Sequence, residues 1–303
     1  MNRPGGFKVV FFWASSSLNG GSLRLTSHSG APVYHFRLAP WLRAASGKIL
    51  ILGIMPMPSA MEIATNLGRV RDQIAASAAR AGRDPASIRL IAVTKTFPPE
   101  TIRAAYQCGL REFGENRVQE LVEKLPHLNL PEASFHLIGH LQSNKVSHAM
   151  GFAWIQTVDS DRLARRLNES AAAAGKALSV LIQIRFDDPA VPHSDRSGVL
   201  ESEAAALVSY VASLEHLKLR GLMTLPPFTA DPEGARLYFR RMRELRDRIR
   251  RSGYPQLQEL SMGMTHDFPV AIEEGATMVR IGTAIFGARP APGAPAGSPT
   301  GSL

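Results

Sequence analysis

A chain of 303 residues, 45% apolar and 20% charged, is long enough for one large or two ordinary globular domains. Its single cysteine, Cys108, excludes a disulfide framework and a cysteine-based zinc site, and points to a reducing compartment, the cytoplasm. A net charge of +9 and a pI of about 10.1 would suit a nucleic-acid partner, but six positive charges (Arg3, Lys8, Arg24, Arg37, Arg43, Lys48) precede the first acidic residue, Glu62; the rest is mildly basic, and no nucleic-acid partner is expected.

Residues 1–57 hold no sustained helical or strand period. Their apolar bursts, "VVFFW" and "ILILGIMPM", are too short to cross a bilayer, so no membrane segment is expected. An acid-free, arginine-bearing, serine-rich leader has the composition of an organellar transit peptide, yet it lacks a clear cleavage pattern, and Met55, Met57 and Met61 stand just before the first well-patterned helix. The segment reads as a disordered leader or an over-extended start, with targeting and a genuine extension as the alternatives. The globular part is expected over 58–289, and the Pro/Gly/Ser-rich tail, 290–303, is expected to be disordered.

From Met61 the pattern changes. Ile63, Leu67, Val70 and Ile74 lie on one helical face, with Ser59 as cap and "AGRDP" as stop. Apolar runs then alternate with helical stretches: "IRLIAV" and a helix near 98–108; "REF" and a helix near 115–124; "FHLIG" and a helix around 142–149; "WIQTV" and a helix near 160–174. "LSVLIQI", "LKLRGLM", "ELSM" and "TMVRIG" follow, separated by helices near 199–213, 232–252 and 267–275. Continuous apolar strands each followed by a helix imply parallel pairing with both faces buried. Eight such units predict a single TIM (β/α)8 barrel in preference to an open doubly wound sheet.

In that fold the polar residues just after each strand face the functional end. They are Lys95; Glu115, Asn116 and Arg117; Gly139, His140, Gln142 and Asn144; Asp159 and Ser160; Arg185, Asp187 and Asp188; Met223 and Thr224; "SMGMT" with Ser261 and Gly263; and "RIGTAIFG" with Arg280, Gly282 and Thr283. Glycines, hydroxyls and an arginine after the last two strands suit a phosphate. A phosphate site beside a strand-end lysine suggests pyridoxal 5′-phosphate (PLP), whose aldehyde needs an amine. Each feature alone has a plainer reading. Lys95 could be a solvated strand tip, "GTAIFG" a turn, and Glu115 a helix-start residue favoured by the dipole. His136, His140 and His148 show no metal-ligand spacing and suit loop or core positions. The arginine-rich stretch 237–251, with Leu237, Met242, Leu245 and Ile249 on one stripe, suits a solvated barrel helix better than an RNA-binding face.

The segments "LIAVTKTFPPETIRAAYQCGLREFGENRVQEL", "FHLIGHLQSNKV", "IQTVDS", "RGLMTLPP" and "LSMGMTHDFPVAIEEGATMVRIGTAIFGAR" resemble the YggS/PROSC-type pyridoxal phosphate homeostasis proteins, PLP-binding barrels of the alanine racemase N-terminal-domain type. The resemblance runs from about residue 61 to 289. It implies PLP held as a Schiff base on Lys95, with Arg280, Gly282 and Thr283 on the phosphate or ring side. Ser261, Met262 and Gly263 would form the neighbouring wall, Met223 and Thr224 another edge, and Asn116 would face the cofactor. Arg117 stands where the family commonly has an aromatic residue, and Arg196 where it commonly has a lysine; arginine cannot form a Schiff base.

The resemblance implies a PLP-binding protein that buffers or delivers the aldehyde inside the cell, with PLP-dependent apoenzymes as possible partners and a monomer expected. The alternative is a racemase-like PLP enzyme. Racemisation needs acid/base groups on both faces of the substrate carbanion. In alanine racemases a tyrosine from an added β-domain serves one face, and Tyr34, Tyr106, Tyr210, Tyr238 and Tyr254 fall in the leader, on helices or in linkers, so no enzymatic activity is assured.

Overall fold

The computed structural model describes residues 57–186 and 197–288, and the short pairs Leu23–Arg24 and His35–Phe36. Expectations for most of the leader, for Asp187, Asp188 and Arg196, and for the tail lie outside the described residues. In the N-terminal unit, residues 1–54, Leu23–Arg24 pairs antiparallel with His35–Phe36, which the hydropathy pattern does not announce.

The second unit begins with helix α1 (Ala60–Arg80). Its cap is reciprocal: the Ser59 hydroxyl accepts from the Glu62 N–H at 3.2 Å, and the Glu62 carboxylate accepts from the Ser59 N–H at 2.8 Å. Ile63, Leu67, Val70 and Ile74 are buried, as their spacing requires. Strand and helix then alternate through β1 (Arg89–Val93), α2 (Pro99–Gln107), β2 (Glu112–Glu115), α3 (Val118–Lys124), β3 (Ser134–Leu137), a 3-10 helix (Ser143–Gly151), β4 (Trp154–Val158) and α4 (Asp161–Ala173). The second half runs through β5 (Leu178–Arg185), α5 (Ala204–Ala212), β6 (Leu217–Thr224), α6 (Arg236–Arg251), β7 (Glu259–Met264), α7 (Phe268–Glu273), β8 (Met278–Ile281) and α8 (Thr283–Phe286).

All eight strands pair in parallel, each with the next, and β8 pairs with β1 through Ile281↔Ala92. The sheet therefore closes into the expected TIM barrel. Most of the core lies between strands and helices, while Ile91, Leu181, Met223 and Met278 form a smaller apolar cluster with Trp154 packed against it. Helix α8 has four residues and covers little; α1 packs on α7, α8 and α2 and takes over that part of the wall.

Three expectations change. The helix around 142–149 is 3-10, because Ser143, Asn144 and Ser147 are poor α-formers and only Val146 and Ala149, three apart, are buried. The helix expected from 199 starts at Ala204: Gly198, at φ +129, turns the chain so that Val199–Leu200 pairs beside the end of β5. Glu115 is the last residue of β2, and α3 begins only at Val118, so Glu115 is not a helix-dipole residue.

Candidate functional site

The carboxyl ends of the strands gather the predicted residues at one mouth. Lys95 lies two residues past the end of β1, half-buried in a turn. Its neighbour Thr96 has φ +68, a left-handed conformation that a β-branched residue adopts only when its surroundings impose it. Asn116, half-buried, follows β2. A Cβ on Gly139 would lie 2.2 Å from the Asn116 carbonyl oxygen, so only glycine permits this approach of the third strand's loop to the second's. The Gly139 carbonyl in turn accepts from the Thr157 hydroxyl at 2.9 Å.

Below the mouth a directional chain of hydrogen bonds runs through the protein. The buried Arg280 guanidinium donates to the Thr224 carbonyl at 2.9 Å and to the Ser261 hydroxyl at 2.6 Å. Ser261, its oxygen engaged as acceptor, donates to Gln156 Oε1 at 2.6 Å, and Gln156 Nε2 donates to His136 Nδ1 at 2.9 Å. His136 Nε2 then donates to Glu112 at 2.5 Å. The order requires a neutral His136, and burial, which pushes its pKa down, favours that form. Burial also pushes Arg280 down to about 10, with Asp267 acting the other way, which leaves the guanidinium charged at neutral pH.

Ser261→Ala is expected to orphan both Arg280 Nη1 and Gln156 Oε1. At about 1–3 kcal/mol for each buried group left unpaired, the loss should be about 2–6 kcal/mol, read as a lower urea midpoint at unchanged slope.

Glycines line the side where a phosphate is expected. Gly263 has φ +91, and a Cβ there would sit 2.6 Å from Ala271 Cβ and 2.9 Å from Phe268 Cα. Gly282 lies against Val93, and the exposed Thr283 opens α8. Met223, fully buried, belongs to the inner apolar cluster. Thr224 turns its hydroxyl to the Ile184 carbonyl and offers only its own carbonyl to Arg280. The structure thus joins Arg280, Ser261 and Thr224 by hydrogen bonds and Asn116 to Gly139 by contact.

On the other side of the mouth, Asn116, Gly139, His140, Gln183, Arg185 and Ser197 are among the residues lining a cavity of about 250 Å3. Ser197 and Asp159 both approach His140 at Nδ1, at 3.1 and 3.7 Å. A catalytic triad needs one partner on each ring nitrogen, so the cluster lacks that arrangement. Sequence reading assigns no role to Gln156, Glu112, Gln183 or Lys124. The available signal was a polar residue inside an apolar strand, as in "IQTV" and "LIQI". Among the described residues no cluster of three His, Cys, Asp or Glu side chains could hold a metal, and no helix is long and apolar enough to cross a membrane.

Fold and site together define a PLP-binding type of barrel: residues 65–290 match the family model described as alanine racemase, N-terminal domain. The chain is 42% identical over 230 residues to the pyridoxal phosphate homeostasis protein of Aquifex aeolicus, covering 76% of this chain and 99% of that one. It is 44% identical over 237 residues to the Escherichia coli K12 protein of the same name, covering 75% and 97%. The structure of PipY from Synechococcus elongatus with PLP bound superposes with a TM-score of 0.65 at 36% identity, over 74% of this chain and all of that one. The chain belongs to the pyridoxal phosphate homeostasis protein family.

Proposed function

We propose that this protein holds PLP covalently through Lys95 and serves in PLP homeostasis, buffering or delivering the aldehyde inside the cell as a monomer. The observation that carries the reading is a half-buried strand-end lysine at the mouth of a barrel whose interior holds a buried, charged arginine, Arg280. The solved PipY structure with PLP bound supports it.

The residues present fit the group. Gly263, whose backbone packs too closely on Ala271 and Phe268 for any side chain, and Gly282, set against Val93, would offer their backbone together with Thr283 to the phosphate. Asn116, whose backbone lies against Gly139, would face the cofactor. When bound, the cofactor supplies an aldehyde that condenses reversibly with an amine, and a ring that can withdraw electrons when its nitrogen is protonated. Arg280, buried, charged and held by Ser261 and Thr224, would disfavour that protonation by like-charge repulsion. Such an arrangement suits holding an aldehyde better than carbanion chemistry.

The described tyrosines agree with this. They lie in α2, α5 and α6 or just after α6, and Tyr106 donates its hydroxyl to the Pro131 carbonyl. Mass spectrometry of borohydride-reduced protein tests the reading: a pyridoxyl group on Lys95 is expected, and modification elsewhere or none would overturn it. Solvent exchange of the α-deuterium of L-amino acids, expected to be absent, is the measurement that would revive a racemase-like enzyme.

A further inference from the structure

Behind Lys95, on the side of the strands that faces the helices, lies a buried ionic group that the cofactor site does not account for. The Glu115 side chain is completely buried. Its Oε1 accepts from the Thr94 hydroxyl at 2.7 Å and from Lys124 Nζ at 2.8 Å, while among the described residues its Oε2 finds no hydrogen-bond partner. Lys124, also buried, donates to the Thr94 carbonyl at 3.1 Å and lies 3.8 Å from Glu120. Glu120 accepts from the Thr96 N–H at 3.2 Å. Thr94 and Thr96 are the two neighbours of Lys95. One is held at its hydroxyl and carbonyl, the other at its amide, by residues from the end of β2 and from α3.

We propose that Glu115, Glu120 and Lys124 are positioning residues for Lys95, gripping the residues on either side so that its amine reaches the mouth in one backbone conformation. The left-handed Thr96 is the conformation that such a grip would enforce, since an isolated β-branched residue avoids it. Burying an ion pair costs desolvation that its own attraction barely repays, so a buried Lys–Glu pair at this spot needs a reason beyond stability. The turn that carries Lys95 supplies one.

The groups facing the Glu115 carboxyl are Lys124 and Glu120 from α3 and the Thr94 hydroxyl from β1. Burial pushes Glu115 up to about 7, against the pull of Lys124. Above that pH the carboxylate grips Lys124 through a charge-assisted bond; below it the bond loses one charge and weakens. The grip should therefore tighten as pH rises through neutrality.

The inference rests on Lys95 being the reactive amine, so the test separates the two. Wild type, Glu115→Gln and the double variant Glu115→Gln/Lys124→Met, which removes both buried charges, would be compared without cofactor by hydrogen exchange and with added PLP by borohydride trapping. Without cofactor, exchange at the Thr96 amide is expected to rise about tenfold in the double variant while β5 stays protected, a control that the barrel is folded. With PLP, trapping should slow about fivefold in the double variant, and the part of the wild-type pH profile centred near 7 should vanish in Glu115→Gln. Unchanged exchange, or raised exchange with wild-type trapping rate and pH profile, overturns the positioning role. Wild type that traps no PLP on Lys95 instead overturns the cofactor reading, and the cofactor-free exchange still decides whether the grip exists.

Discussion

Lys95→Ala is expected to abolish covalent capture of PLP, leaving retention about 100-fold weaker or worse, which corresponds to a loss of about 2.7 kcal/mol. The expectation depends on no neighbouring amine taking over. Lys124 bonds to the residue next to Lys95, but its Nζ is committed to Glu115 and to the Thr94 carbonyl on the helix side of the strands. Arg117, exposed after β2, cannot form the link at all. Because Lys95 sits half-buried in a turn at the barrel mouth and not in the packed core, its truncation should leave a folded protein, at a cost inside the ordinary range of about 0.5–3 kcal/mol for a point substitution. Gel filtration in PLP followed by absorption and mass measurement reads the first effect; urea unfolding reads the second. A folded Lys95→Ala protein that retains PLP as wild type does would remove the basis for the function proposed above.

The barrel was readable because each strand is a continuous apolar run that must be covered on both faces. "IRLIAV", "LSVLIQI" and "LKLRGLM" need cover on both faces, which a parallel α/β sheet supplies, and eight such units in a row favour its closure into a barrel. Lys95 was readable for a related reason, since a charge that ends such a run has to emerge at the functional end. What sequence could not show is which polar residues inside the runs meet. Gln156 and His136 sit on adjacent strands, and Ser261 lies far from both in sequence. Their bonding into one chain from Arg280 to Glu112 depends on the register of a closed sheet. Glu115 was misplaced because "GEN" before an amphipathic helix looks like a helix start. The strand in fact continues two residues past "REF", and the carboxylate is drawn under Lys124 instead.

Two glycine substitutions of opposite sign test how the mouth is held. Gly68 lies exposed in the middle of α1, with open space around its Cα. Gly68→Ala should stabilise by about 0.5–1 kcal/mol, because alanine gives up less backbone freedom on entering a helix. Gly139 is the reverse case. A methyl group there would overlap the Asn116 carbonyl, and the loop cannot simply withdraw, because the Gly139 carbonyl is bonded to Thr157 on β4. Gly139→Ala should therefore cost about 3 kcal/mol, at the upper end of typical overpacking losses, and lower the melting temperature by about 6–12 °C for a barrel of this size. It should also displace Asn116 and weaken PLP retention, an effect Gly68→Ala must not show. A Gly139→Ala protein as stable as wild type would mean that the two loops move apart freely. Asn116 would then lose its standing as a fixed edge of the cofactor site.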